Sequence, residues 1–279
     1  MKISRNYPQF QLALHAPLCS RLLRDDAIVV SENGWHRTLT PSSPWAADDN
    51  EILFSNLCGT DQEIDGEIEK LIAEYQHLGR PMRWCVYPWS YPHDLGEKLL
   101  QRGATCSDVH ALLCDTSVPL NIVEDTEIVR VDPNSDPQYE AYIQIMSSGV
   151  MSSGRTLPAD EVNFRRQRYR ELIQGEHPIM HLFLAKYQDV VAGCGAMYLK
   201  QDSAWMTGDY VAPAYQARGL FQSLIAARLK LLQELGIGIA TGHGRVATSV
   251  PWLVRFGFQT IFPYRIYQID PSSCPNPPL

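Results

Sequence analysis

The residues with the clearest chemical potential run from Asp209 to Phe221 (DYVAPAYQARGLF). They predict a strand that turns directly into a long helix over residues 216–235. The first N–H groups of a helix have no partner within it, and the helix dipole is positive at that end. Gly219 allows a close backbone approach, and the Arg218 guanidinium suits phosphate oxygens. The segment indicates an anion site, although an ordinary strand-to-helix turn with a surface arginine explains the same residues.

Two side chains near this segment are candidates for proton transfer. Asp209 lies in the strand that leads to the turn and is the candidate general base; the alternative is a solvated carboxylate at a strand end. His243 stands between Gly242 and Gly244, in a predicted loop after a strand at residues 237–241, and a histidine titrates in the useful range. The alternative for His243 is a plain loop histidine.

Three other sequence features give weaker evidence for a binding or metal site. Gly242 to Ala247 fits a relaxed G-x-G-x-x-A dinucleotide fingerprint, but no βαβ unit with an acidic ribose contact follows it. His177 and His181 flank Pro178 at a strand entrance and are expected to be structural, so no metal site is predicted. Four arginines form a basic stretch that is most simply a solvated helix face, or else attracts an acidic acceptor or the phosphate of a ligand: Arg165, Arg166, Arg168 and Arg170.

The elements that position these residues follow one order between residues 127 and 270. Hydrophobic periodicity predicts a strand, two helices, three strands, the long helix, a strand, a short helix and a final strand. The first two of the three consecutive strands are joined by a tight turn at Gln188-Asp189. A Ser- and Gly-rich loop, Ser147 to Thr156, is expected between the first two helices.

This order and the 209–221 segment resemble the GNAT superfamily of acyl-CoA-dependent N-acyltransferases. The family's pyrophosphate loop, Gln/Arg-x-x-Gly-x-Gly/Ala, is matched at Gln216 and Gly219, with Val211 and Pro213 in place upstream. The third position is Phe221, a bulky residue expected to narrow the site or reorient the diphosphate. A later segment looks like the family's Leu/Phe-Gly-Phe signature: Arg255-Phe256-Gly257-Phe258.

The resemblance implies acetyl-CoA as the acyl donor and direct attack by an acceptor amine. The backbone around Tyr210 and Val211 would orient the thioester carbonyl. The pyrophosphate would be held by Gln216, Ala217, Arg218, Gly219, Leu220 and Phe221. The tyrosine that serves many members as the acid is replaced here by Leu253. The resemblance also implies that the Ser147–Thr156 loop governs acceptor choice, and the pocket-lining candidates, which are otherwise core aromatics, are Trp205, Tyr210 and Tyr264.

The first half of the chain predicts a smaller domain. Thr60-Asp61-Gln62-Glu63 is a capping box that opens a helix ending at Gly79, and strands flank this helix. The setting looks like a degenerate second GNAT copy that has lost its loop. We therefore predict an α+β fold with a GNAT-like mixed sheet flanked by helices. The predicted parts are a degenerate GNAT-like domain (1–118), an N-acetyltransferase domain (119–270) and a disordered tail (271–279).

The amino-acid composition limits the classes of partner that the protein is expected to bind. The 279 residues are 45% hydrophobic and 20% charged, with 24 basic and 31 acidic side chains and a net charge of −7. This balance argues against nucleic acid, and no stretch approaches the roughly 20 apolar residues of a membrane span. The seven cysteines are scattered and odd in number, which favours reduced thiols and a cytoplasmic location.

The predicted function is transfer of an acetyl group to a primary amine of a small molecule or peptide. The alternatives are a non-catalytic acyl-CoA-binding or regulatory module and a structural interaction domain.

Overall fold

A computed structural model describes residues 7–20, 23–45, 49–151 and 157–271. The helices in these residues are α1 (Tyr7–His15), α2 (Asp61–His77), α3 (Leu95–Gln101), α4 (Asp136–Met151), α5 (Ala159–Ile173), α6 (Leu220–Glu234) and α7 (Val250–Arg255). The strands are β1 (Ile28–Val30), β2 (His36–Leu39), β3 (Glu51–Phe54), β4 (Met82–Val86), β5 (Thr105–Asp115), β6 (Thr126–Arg130), β7 (Met180–Tyr187), β8 (Val190–Leu199), β9 (Ala204–Val211), β10 (Ile239–Arg245) and β11 (Gln259–Ile269). Two 3₁₀ helices span Ala16–Ser20 and Pro213–Tyr215.

The chain forms two compact units. Unit 1 comprises residues 1–20, 111–243 and 251–261, and unit 2 comprises residues 21–110, 244–250 and 262–279. This partition differs from the predicted linear division at 118/119, because the N-terminal residues group with unit 1 and part of the C-terminal region groups with unit 2. Strands β5, β10 and β11 each contribute residues to both units.

In unit 1 the strand order is β10-β9-β8-β7-β6. Strands β6 to β9 are antiparallel, and β10 runs parallel to β9. Helices α4, α5 and α6 pack on these strands. The turn between β7 and β8 has positive φ at both central residues, Gln188 (48°) and Asp189 (67°), as two-residue hairpins of type I′ require. The predicted element order from β6 to β11 is confirmed.

In unit 2 the strand order is β1-β2-β3-β4-β11, and β3 and β4 are parallel. Helix α2 supplies much of the core with five buried side chains: Ile64, Ile68, Leu71, Ile72 and Tyr75. The predicted capping box is confirmed, because the Glu63 N–H donates to Thr60 Oγ1 at 3.4 Å and the Thr60 N–H donates to Glu63 Oε2 at 2.7 Å. One N–H donor of the first turn of α2, that of Glu63, and the N–H of Thr60 are therefore bonded to side chains of the same segment.

The linker between β5 and β6, residues 116–125, is irregular in structure, yet it is bonded along α6. The Val123 N–H donates to Ser223 Oγ at 2.9 Å, and Gln222 Nε2 donates to the Asn121 carbonyl at 3.1 Å. The linker therefore belongs to the scaffold of unit 1.

Two loop predictions have a different outcome. The expected Ser147–Thr156 loop is wrong over residues 147–151, which continue α4, and residues 152–156 lie outside the described part of the chain. The predicted tail also lies outside the described residues from position 272 onward. In the described ranges, no helix is long and apolar enough to cross a membrane.

The two histidines at the entrance to β7 differ in their surroundings. His181 lies within β7 and is half-buried, whereas His177 is exposed in the loop before it. Burial, reinforced by the positive charge of Arg130, lowers the pKa of His181 to about 4. The unfolded chain takes up this proton near pH 6.5, so the folded state loses stability as the pH falls from about 6.5 to about 4.

We expect His181→Gln to remove part of this acid sensitivity, up to about 3 kcal/mol between pH 7 and pH 4. The measurement is the free energy of unfolding by urea at several pH values. His177→Gln is the matched control and should keep the slope of the unmodified protein. If the free energy of unfolding depends on pH equally in the two variants, His181 is not the source of the acid sensitivity.

Candidate functional site

The junction between β9 and α6 contains the loop that the sequence singled out. Gly219 precedes the first residue of α6 and has a φ of +82°, in the left-handed region. It offers no side chain to bond the first N–H groups of the helix, which belong to Leu220, Phe221 and Gln222, and this first turn holds no acidic residue. These donors and the positive helix end are features that suit an anion, in contrast to the capped and acidic first turn of α2.

Packing also explains why position 219 is a glycine. A β-carbon at this position would lie 2.7 Å from the Val123 side chain, and the backbone angle itself disfavours other residues. The glycine therefore lets the linker close against the start of α6. The sequence-based reason, a close approach of the backbone to a ligand, stays a prediction.

The three residues before Gly219 are exposed. Gln216 Nε2 donates to the Val211 carbonyl at 3.3 Å, and Ala217 has a φ of +61°. The Arg218 guanidinium carbon lies 4.8 Å from the centre of the Tyr187 ring and 5.8 Å from that of Tyr215. These aromatic contacts hold a cation beside the helix N-terminus.

Phe221, the departure from the family pattern, has a partner that accounts for its size. Its ring centre lies 5.7 Å from that of Phe256, in the segment that resembles the late family signature. Phe256 is buried, whereas Phe221 is half-buried. The large side chain at this position therefore packs α6 against the residue that follows α7.

Strand β9 carries an irregularity beside the candidate base. Its pairing with β8 shifts register, so that Gly208 and Asp209 together face the single residue Gly195. Gly208 has a φ of +67°, the conformation of the first residue in a glycine β-bulge. The bulge redirects the strand just before Tyr210 and Val211, which pair with Cys194 and Gly193.

On its other edge, β9 has a short pairing with β10. The pairs join Ala204–Met206 to residues 240–242, and β9 continues for five further residues to Val211. The parallel strands therefore share only the beginning of β9. This arrangement suits the predicted role of the Tyr210 and Val211 backbone, which requires a strand edge that the neighbouring strand does not cover.

Asp209 forms an ion pair with Arg228, a fully buried residue of α6. Arg228 Nη2 donates to Asp209 Oδ1, Nη1 donates to the Ala196 carbonyl at 3.0 Å, and Nε donates to the Leu224 carbonyl at 3.1 Å. The Asp209 side chain is 24% exposed. Burial raises its pKa above the ordinary value, and the guanidinium opposes that shift.

Glycine 195 makes room for this pair. A β-carbon there would lie 2.8 Å from Asp209 Oδ1 and 3.3 Å from the Arg228 guanidinium. Sequence reasoning missed Arg228, although a signal existed. Position 228 follows Leu220 and Leu224 at four-residue steps, so the arginine lies on the same face of the helix as these leucines, where apolar side chains are expected.

The expected loop position of His243 is wrong, because the residue lies within β10. The strand extends beyond the predicted end at residue 241 and includes the whole Gly-His-Gly motif. His243 Nε2 donates to the Ala13 carbonyl of α1 at 2.9 Å, and the ring packs edge-on against Trp205 with centres 4.8 Å apart. Since a carbonyl only accepts, the hydrogen of the imidazole is on Nε2 in this bond.

The position of the family's usual acid holds a buried aliphatic side chain, Leu253 of α7. The arginine stretch on α5 is only partly solvated, because its four residues are half-buried and form ion pairs with Glu161, Glu140, Glu171 and Asp136. Of the aromatic pocket candidates, Trp205 and Tyr264 are buried and Tyr210 is half-buried. Over the described ranges, no group of three or more His, Cys, Asp or Glu side chains could hold a metal ion.

Comparison with known structures shows a shared fold along most of the chain. A functionally unknown conserved protein from Staphylococcus epidermidis ATCC 12228 has a TM-score of 0.67 at 13% identity, over 89% of this chain and 96% of that one. A GCN5-related N-acetyltransferase from Kribbella flavida has a TM-score of 0.62 at 14% identity, over 95% of each chain. A tandem GNAT protein from the clavulanic acid biosynthesis pathway has a TM-score of 0.55 at 12% identity, over 98% of each chain.

These likenesses confirm the predicted fold class, a mixed sheet flanked by helices of the GNAT type. A sequence comparison with curated proteins finds no match. The family comparison does find one: residues 153–258 match the family described as Acetyltransferase (GNAT) family. The matched stretch contains the 209–221 loop, the β-bulge, His243 and Phe256-Gly257-Phe258, so the sequence similarity to the GNAT acetyltransferase family extends over the whole candidate site.

Proposed function

We propose that the protein transfers an acetyl group from acetyl-CoA to a primary amine of a small molecule or peptide by direct attack. One observation carries the proposal: α6 begins at a left-handed glycine, directly after β9, with the first-turn N–H groups not capped by a side chain and Arg218 beside them. Free N–H donors at a helix N-terminus and a nearby guanidinium both suit the oxygens of a diphosphate. Helix α2, with its capping box and acidic first turn, lacks it.

The residues present fit the donor as follows. The N–H groups of Leu220, Phe221 and Gln222 and the Arg218 guanidinium would bind the pyrophosphate, with Gln216 and Ala217 shaping the loop. When bound, acetyl-CoA supplies an activated acyl carbonyl. The backbone N–H groups around Tyr210 and Val211 would orient that carbonyl at the edge of β9 next to the bulge.

Asp209 is the preferred base. Its Oδ1 accepts from Arg228, so the proton of the attacking amine would go to Oδ2. Burial raises the pKa of Asp209, and a more basic carboxylate is a better proton acceptor near neutral pH. His243 is the second candidate, and its bond to Ala13 favours a structural part for its Nε2.

A second function, a non-catalytic acyl-CoA-binding or regulatory module, is favoured by one observation. Leu253 is buried at the position of the usual acid and cannot protonate a leaving thiolate. Turnover separates the two functions. A binding module would be stabilised by acyl-CoA and yet release no free thiol with any amine.

The first test is thermal unfolding with and without saturating acetyl-CoA, coenzyme A and a longer acyl-CoA. A ligand at 100 times its dissociation constant should raise the unfolding temperature by about 5 to 10 °C. Thiol release is then followed with a panel of primary amines. The absence of any shift would contradict acyl-CoA binding, and a shift without thiol release would favour the binding module.

Arg218→Ala should weaken acetyl-CoA binding roughly tenfold, because it removes the interaction between an exposed guanidinium and a phosphate of the ligand. The unfolding temperature of the ligand-free protein should stay unchanged. Arg218 provides a cleaner variant than Gly219, where any side chain would strike Val123. Lys230→Ala is the matched control, since Lys230 is exposed on the same helix about 15 Å further along. The affinity of each variant for acetyl-CoA is measured by calorimetry. Equal affinities would contradict the proposal that the loop before α6 binds the pyrophosphate.

Asp209→Asn should lower kcat by a factor of about 10² or more and abolish the acid limb of the rate profile. The same change leaves Arg228 buried without a counter-charge and should cost about 3 kcal/mol of stability. The double variant Asp209→Asn/Arg228→Met tells the two effects apart, since it removes both charges. We expect it to recover stability but not activity. Recovery of activity would show that Asp209 only positions the strand.

His243→Asn should reduce kcat by less than about tenfold, below the effect of a lost general base. It should also lower the unfolding temperature, because the bond to Ala13 is lost. Urea unfolding and the rate of thiol release are measured on the same preparations. A larger loss of kcat for His243→Asn than for Asp209→Asn would make the histidine the base.

A further inference from the structure

Trp252 is an exposed aromatic residue to which the proposed acetyl transfer assigns no part. It lies in α7 with 48% of its surface exposed, although tryptophan is on average highly buried in folded proteins. Trp252, Phe256 and the loop before α6 all belong to unit 1. The indole therefore presents a flat apolar face to solvent in the same unit as the candidate anion site.

Ring contacts join Trp252 to the start of α6. The ring centres of Trp252 and Phe256 lie 6.3 Å apart with planes at 35°, and those of Phe256 and Phe221 lie 5.7 Å apart. Only one ring therefore separates Trp252 from Phe221, whose N–H is among the donors proposed to bind the pyrophosphate. A nucleoside attached to that pyrophosphate extends over a comparable distance, so its base can reach the indole.

Arg255 places a cation beside the same indole. Its guanidinium carbon lies 5.9 Å from the centre of the Trp252 ring. The residue is exposed and forms no ion pair within the described part of the chain, in contrast to the arginines of α5, which all have carboxylate partners. An exposed guanidinium of this kind is available to the oxygens of a phosphate.

The sequence around these residues is basic, although the protein as a whole is acidic. Residues 210–269 contain six lysines and arginines and a single acidic residue, Glu234, whereas the whole chain has a net charge of −7. Arg218 before α6 and Arg255 at the end of α7 are both exposed cations of this segment. Such a distribution favours a ligand that carries several negative charges.

We propose that Trp252 is the platform on which the adenine of acetyl-CoA stacks, and that Arg255 binds the 3′-phosphate. Every nucleobase has a π-face that can stack on an aromatic side chain, and a guanidinium pairs with phosphate oxygens. The inference rests on the proposed function, because it concerns the nucleotide end of the same ligand. It makes the nucleotide part of what the protein recognises, so an acyl group carried on 4′-phosphopantetheine alone is a poorer donor.

The test is calorimetric titration of the full chain with acetyl-CoA and with acetyl-3′-dephospho-CoA, which lacks only the 3′-phosphate. Trp252→Ala should weaken the binding of both ligands about tenfold, because the stacking of the base is lost. Trp252→Phe keeps an aromatic face and should recover most of the affinity. If Trp252→Ala binds acetyl-CoA as tightly as the unmodified protein, the proposed platform is wrong.

Arg255→Gln should weaken acetyl-CoA binding about two- to fivefold, as for an exposed ion pair, and leave the binding of acetyl-3′-dephospho-CoA unchanged. Val254→Ala is the matched control, because Val254 is exposed on the same helix, and it should leave both affinities unchanged. An equal loss of affinity for the two ligands in Arg255→Gln would overturn the contact with the 3′-phosphate.

Tryptophan fluorescence gives a second measurement on the same variants. Stacking of adenine on Trp252 should quench the emission of the unmodified protein as acetyl-CoA is added. Trp252→Phe should bind acetyl-CoA with less quenching, because the stacked indole is absent. Quenching of the same size in this variant would place the base away from position 252 and would overturn the proposal.

These measurements separate the inference from the proposed function. Binding of acetyl-CoA that Trp252→Ala does not weaken overturns the inference alone. Binding with the expected losses, but without thiol release in the presence of amines, supports the inference and contradicts acetyl transfer. The absence of binding to the unmodified protein overturns both.

Discussion

The ion pair between Arg228 and Asp209 is the interaction on which the arrangement of unit 1 depends most. A guanidinium that is fully buried needs acceptors, and it finds them in the Leu224 carbonyl of its own helix, the Ala196 carbonyl of β8 and the Asp209 carboxylate of β9. It therefore joins α6 to both strands at the bulge. The loop from Val211 to Gly219 connects that bulge to the same helix, so the Arg228 side chain ties the strand before the loop to the helix after it.

The two units show how a similar strand–helix junction can acquire different chemistry. In unit 2 the N-terminus of α2 is closed by Thr60 and Glu63, and Asp61 adds a further negative charge. In unit 1 the N-terminus of α6 has a glycine cap and a neighbouring arginine. A few side chains in the first helical turn decide whether N–H donors serve the helix itself or a bound anion. This difference gives a physical meaning to the predicted degeneracy of the N-terminal half.

The N-terminal helix α1 shows where pattern reasoning stops. Its sequence carries few helix signals, and no element was predicted there. In the structure the end of α1 makes two hydrogen bonds to other parts of unit 1. The Ala13 carbonyl accepts from His243, and the His15 carbonyl accepts from Lys200 at 3.1 Å. A cation at the C-terminal carbonyls of a helix is favourable. Both partners lie more than 180 residues along the chain, and contacts at that separation leave no local pattern.

Local chemistry in the sequence determined the elements with strong periodicity and marked ends, such as α2 with its capping box, the β7–β8 hairpin with its two-residue turn, and the β9–α6 junction. These features depend on neighbours within a few residues, so their side chains are sufficient to indicate them. Tertiary structure decided what each candidate residue contacts. It placed His243 in a strand against α1, paired Asp209 with Arg228, and set Val123 against Gly219. Those contacts depend on which distant segments pack together, because burial and register are properties of the whole fold.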